Sequence, residues 1–157
     1  MNYFFGDLLN FPVGVVSFKG DVPLDLPSVA QQLFELKLNG YIVLSVKGNL
    51  VEEGILFFRE GEGIACIVEC LAIDRTLKGN EALEFFLNQT KGKGFFQCVE
   101  LTKSQVDLII AFDEKLLINK IVLKELPKMI PLVFSTKFER EESKVNALET
   151  YGLGELK

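Results

Sequence analysis

Two hydrophobic periods divide this chain, one near four residues and one of two. In LDLPSVAQQLFELKLNG, Leu26, Val29, Leu33 and Leu36, flanked by Phe34, recur at the spacing of an apolar helix stripe. Asp25 or Ser28 is placed to cap its start, and Asn39-Gly40 supplies a left-handed stop. Before it, VGVVSF (13–18) reads as a short strand. After it, YIVLSVK (41–47), VEEGILFFRE and IACIVECLA read as three more, joined by turns at Gly48-Asn49 and at 59–63 into an antiparallel meander. A second helix fits LKGNEALEFFLNQTKGKG, with Ala82, Leu83, Phe86 and Leu87 on one side, and GFFQCVEL (94–101) is a further strand. Thr102 and Gln105 then match a capping box that opens a helix through Val106, Ile109, Ile110 and Phe112.

Beyond about residue 118 the pattern degrades. Pro127 and Pro131 divide an apolar segment that reads as extended, and KFEREESKVNALETYG predicts a final helix bearing Phe138, Val145, Leu148 and Tyr151. No internal repeat or low-complexity tract interrupts the chain. The expectation is an α+β fold: an antiparallel meander sheet of about five strands packed with helices at 1–118, then a C-terminal arm and helix at 119–157.

Neighbouring side chains on a strand point to opposite faces, so the doublet Phe57-Phe58 cannot lie against one core. Phe95-Phe96 repeats the problem, and YIVLSV is bulky on both sides. A sheet wetted on one face should alternate apolar with polar residues. Both faces therefore need cover, since each buried Phe contributes roughly 1.5 to 3 kcal/mol. The cover is either the chain's own helices and arm or another protein chain. On the second alternative the docking residues are Phe57, Phe58, Phe95 and Phe96, with Val145, Leu148 and Tyr151 of the final helix.

Composition narrows the chemistry. At 157 residues with 48% hydrophobic content and 14 Phe, the chain can bury one sizeable core. Its net charge of −5 disfavours nucleic acid and anionic lipid. Three cysteines, an odd number without a CxxC pair, point to a reducing cytoplasm. The N-terminus has no early Lys or Arg and contains Asp7, unlike a signal peptide, and the apolar stretch at 116–134 is broken too often by charge and proline to span a membrane.

The chain has no histidine, which removes the commonest general base, the Ser-His-Asp triad and the usual zinc ligand. Cys66 and Cys70 would share a strand face roughly 13 Å apart, at about 3.3 Å per residue, too far for a shared metal or a disulfide. They read as buried structural thiols. Glu52, Glu53, Glu60, Glu62 and Asp74 read as solvated carboxylates around hairpin turns, because no EF-hand spacing is present. KGKG (91–94) lacks the spacing of a phosphate-binding loop and reads as a tight turn.

The run from Phe18 to Leu101 resembles the PatA-associated N-terminal, or PATAN-like, domains and their uncharacterised archaeal relatives. The features that carry the resemblance are a helix ending in Asn39-Gly40 before YIVLSV, then EEGILFFREGEGIACIVE, GNEALEFFLN and GKGFFQCVEL. SKVNALETYGLGEL also looks like a motif that follows this domain in archaeal members. The resemblance implies a small regulatory or interaction module that accompanies prokaryotic signalling proteins and small GTPase systems, without established chemistry.

The expected function is thus non-enzymatic: binding of a protein partner, or self-association as a homodimer, with no cofactor and no membrane. One alternative is a small-ligand sensor or enzyme with a pocket between helix and sheet near Cys66, Cys98 and Glu69. Another is single-stranded nucleic acid stacked on Phe57 or Phe95 beside Lys91, Lys93 and Lys103.

Overall fold

The meander forms, and it carries one strand more at its far end than its sequence announces. The structure, a computed structural model, describes residues 15–138. Its strands are β1 (Val15–Val22), β2 (Gly40–Lys47), β3 (Val51–Arg59), β4 (Glu62–Cys70), β5 (Arg75–Lys78) and β6 (Gly94–Glu100). Its helices are α1 (Leu26–Leu36), α2 (Asn80–Gln89), α3 (Lys103–Phe112) and the single turn α4 (Leu126–Met129). All pairings are antiparallel, in the order β1-β6-β2-β3-β4-β5, so the chain leaves the meander through α2 and returns to place β6 beside β2.

Local chemistry accounts for most element boundaries. Asp25 caps α1 by accepting from the Ser28 backbone N–H at 3.3 Å and the Ser28 hydroxyl at 2.7 Å. The expected Asn39-Gly40 stop is corrected: the left-handed residue is Lys37, with φ of 51°. Asn39 instead accepts from the Glu60 N–H at 2.8 Å, tying the end of α1 to the β3–β4 turn. That turn is built on two left-handed residues, Glu60 and Gly61, as a tight hairpin requires. A Cβ on Gly61 would lie 2.5 Å from the Cα of Phe34, so α1 packs directly on the turn. Both bonds of the Thr102–Gln105 capping box are present, at 2.8 and 3.1 Å. The segment around Pro127 forms the helical turn α4 where an extended run was expected, with the proline in the first turn, where its missing N–H costs nothing.

The two aromatic doublets part as the pleat demands. Phe58 and Phe96 enter the core on the first face of the sheet, with Ile42, Leu44, Leu56 and Val68, beneath α1 and α2. Phe57 enters the core on the second face, with Tyr41, Ile55 and Ile67, beneath Val106 and Ile109 of α3. Phe57 and Phe58 are 0% and 3% exposed, so the chain itself supplies both covers. The second cover is shorter. It reaches the row of Val99, Tyr41, Phe57 and Ala65, while Phe95, four residues before Val99 on β6, remains 48% exposed.

The arm completes the first cover. A bulge places Ile64 outside the β3–β4 register, and its carbonyl accepts from the Ile118 N–H at 3.0 Å. The Asn119 N–H donates to the Asn80 side chain at 2.8 Å. Asn88 fixes the other end, donating to the Ser135 carbonyl and accepting from its N–H, both at 2.9 Å. Between these anchors Leu126 is 1% exposed, and just past the second Phe138 lies against Phe85 with ring centres 4.6 Å apart.

Candidate functional site

Between α1, the turn end of the β3–β4 hairpin and the arm lies a cavity of about 390 Å³. Leu26, Ala30 and Phe34 of α1 form one wall, Leu56 and Phe58 lie beneath, and residues 120–124 with Leu126 form the opposite wall. Gly61 and Gly63 close one end: a Cβ on Gly61 would strike the α1 backbone, and one on Gly63 would lie 3.0 Å from Ile121 Cδ1. In the arm, Ile121 and Leu123 pack on the core, whereas Lys120, Val122 and Lys124 are exposed. Phe34 at 40% and Val122 at 51% exposure put large apolar groups at the lip. Among the described residues Glu62 is the only acid lining the groove.

The second face holds a different constellation. Asp21, Phe95, Ser45, Glu53, Glu69 and Thr76 form one row across the six strands. Glu53 and Glu69 are direct cross-strand neighbours, 3% and 9% exposed, which corrects the expectation of solvated hairpin carboxylates. Glu53 Oε2 accepts no hydrogen bond from a described residue. Burial, with the Glu69 carboxylate beside it, pushes the Glu53 carboxyl up to about 8. Glu52, on the opposite face, is 1% exposed and accepts from the Gln89 amide at 3.2 Å. Glu60, by contrast, is exposed and pairs with Lys103 at 2.9 Å, which lowers its carboxyl below the usual range.

The other expected sites separate. Phe57, Phe58 and Phe96 are inside the chain's own cores, so of the four strand aromatics Phe95 alone offers surface. Val145, Leu148 and Tyr151, with the final helix, lie outside the described residues. Cys66, Cys70 and Cys98 form no disulfide and are buried on the first face. Burial pushes the Cys66 thiol well up, and burial together with Glu100 pushes Cys98 up to about 12, so neither is a ready nucleophile. None of Cys66, Cys98 and Glu69 lines the α1–arm groove. For a stacked nucleic acid, Phe57 is buried and Lys103 follows the end of β6 remote from Phe95. Among the described residues no group of three or more acidic, Cys or His side chains is arranged for a metal, and no helix is long and apolar enough to cross a membrane.

Reasoning from the sequence missed the groove residues Ala30, Phe34, Lys120, Val122 and Lys124. The available signal was Phe34 flanking the α1 stripe rather than sitting in it.

Sheet, covering helices and groove together define an α+β domain built on an open, six-stranded antiparallel sheet. Within that class the chain belongs to the family described as "Uncharacterized protein conserved in archaea (DUF2226)", which matches residues 15–113. The match includes α1 and the hairpin side of the groove, and the arm follows it. No curated protein and no solved structure matches the chain.

Proposed function

We propose that this chain is a non-enzymatic binding module of regulatory type, and that it takes an apolar segment of a partner protein in the groove between α1 and the arm. The observation that carries the reading is the groove itself: a concave site walled by apolar side chains, with Phe34 and Val122 left exposed at its lip. The likeness to PATAN-like regulatory domains supports it, as does the lack of any histidine. A volume of about 390 Å³ also falls in the range of small-molecule sites, but such sites bring several convergent polar groups to the ligand, and this lining is predominantly apolar.

The test is selection of displayed random peptides on the immobilised full chain, repeated on F34E and V122E. Both positions are exposed enough for these variants to fold. Apolar-anchored peptides that bind the wild type and are lost on both variants support the proposal. No enrichment, or peptides retained on both variants, overturns it. A wild-type dimer in sedimentation equilibrium that V122E dissociates would assign the groove to a second copy of the chain, and would also overturn it.

A further inference from the structure

We infer that the segment taken by this groove is acidic as well as apolar, and that Lys120 and Lys124 read its carboxylates; the inference rests on the binding reading above. Both lysines line the groove and both are exposed. Neither forms an ion pair with a described residue, whereas Lys78, Lys103 and Lys128 each sit within 4 Å of an acid. The lysine wall faces a lining with one acid, Glu62, so the rim is locally cationic in a chain whose net charge is −5.

Ionic strength separates these two scales. At physiological salt the field of a surface charge is largely screened beyond about 8 Å. The acidic remainder of the molecule therefore does little to a segment already at the groove, while two lysines within that reach act on it directly. An apolar groove whose cationic rim pairs with no described acid is complementary to an amphipathic segment whose apolar residues fill the cleft and whose Asp or Glu residues flank them.

The experiment uses the peptides selected above, with affinities measured on the full wild-type chain and on K120E/K124E. Selected sequences should be richer in Asp and Glu than the starting pool. Their affinity should fall about tenfold on the double variant, the order expected when two exposed ion pairs become repulsions. Copies with Asp and Glu replaced by Lys should recover on that variant and not on the wild type. Groove-dependent peptides without acidic enrichment, or with affinity changed less than twofold by K120E/K124E, would overturn the charge inference and leave the groove reading standing. Peptides insensitive to F34E and V122E would sink the groove reading itself, and this inference with it. Sodium dodecanoate binding the groove more tightly than any selected peptide would assign it to an anionic amphiphile, which also overturns the inference.

Discussion

Replacing Glu53 by Gln should remove a pH dependence that the wild-type fold carries. Glu53 sits in the middle of the sheet, 3% exposed, directly across the ladder from Glu69. Burial first, and the Glu69 charge second, raise its carboxyl from the ordinary 4.5 to about 8. The folded chain therefore holds this proton to a higher pH than the unfolded chain does. Below 4.5 both states are protonated and the group has no effect on stability. As pH rises from there to about 8, the unfolded state ionises while the folded state does not, and stability falls by up to about 1.4 kcal/mol per pH unit. Across the whole window the upper bound is about 5 kcal/mol, and solvent screening of the pair brings the expected loss to about 2 to 3 kcal/mol. That is a substantial part of a typical net stability of about 5 to 15 kcal/mol.

Four other shifted groups fall outside this window. Asp25 and Asp113 are held below the usual carboxylate range by Ser28 and Lys78 respectively, so they titrate beneath it, and the Cys66 and Cys98 thiols lie above it. Urea unfolding followed by circular dichroism at about pH 5, 7 and 9 should show E53Q within about 1 kcal/mol of the wild type at the lowest pH. The variant should become more stable by about 2 to 3 kcal/mol at the highest. Stabilities that run parallel from pH 5 to 9, with equal urea slopes, would refute the reasoning, because they would mean that Glu53 titrates alike in both states.

The two aromatic doublets separate cleanly by mutation. F57A empties a fully buried site and should cost about 3 to 5 kcal/mol in urea unfolding, whereas F95A, at a half-exposed position, should stay within about 0.5 kcal/mol. T102A removes one half of the α3 capping box and should lower stability by about 1 kcal/mol in the same assay. N88A deletes the hydrogen bonds that hold Ser135 and should cost about 1 to 3 kcal/mol, with amide exchange accelerating in residues 118–135 and not in β2 or β3.

How far the fold was legible depends on how local its cause is. The β2, β3 and β4 strands, the Thr102–Gln105 box and the cover on both Phe57 and Phe58 follow from alternation and capping chemistry within a few residues. β5 was invisible because RTLK is short and mostly polar; it is a strand because Leu77 pairs with Val68 and fills the first face. The α1 stop was misplaced because Lys37 adopts the left-handed conformation that Asn39-Gly40 advertises, and Asn39 is used to hold the hairpin turn. Glu52 and Glu53 looked like solvated turn residues because they are adjacent charges close behind the Gly48-Asn49 turn. Their burial comes instead from partners far along the chain: Gln89 opposite Glu52, and Glu69 beside Glu53.

The groove was illegible for the same reason on a larger scale, since its walls come from residues near 30, 60 and 122, and periodicity reports only on the element that carries it. Its physical origin is nonetheless specific. Protein interiors pack to a density of about 0.75, and unfilled apolar space costs stability. Here the space is lined by small residues at Ala30 and Gly63, while Gly61 lets the α1 backbone approach the hairpin turn. The arm beside it is not loose packing: it is anchored through Ile118 and Asn119 at one end, through Ser135 at the other, and by the buried Leu126 between them. A wall fixed in this way is ordered before anything binds, so an incoming segment meets the cost of its own ordering and little of the host's. Filling the cleft from within, by enlarging Ala30, should therefore tend to stabilise the fold while abolishing binding, a trade that a cavity left by poor packing alone would not show.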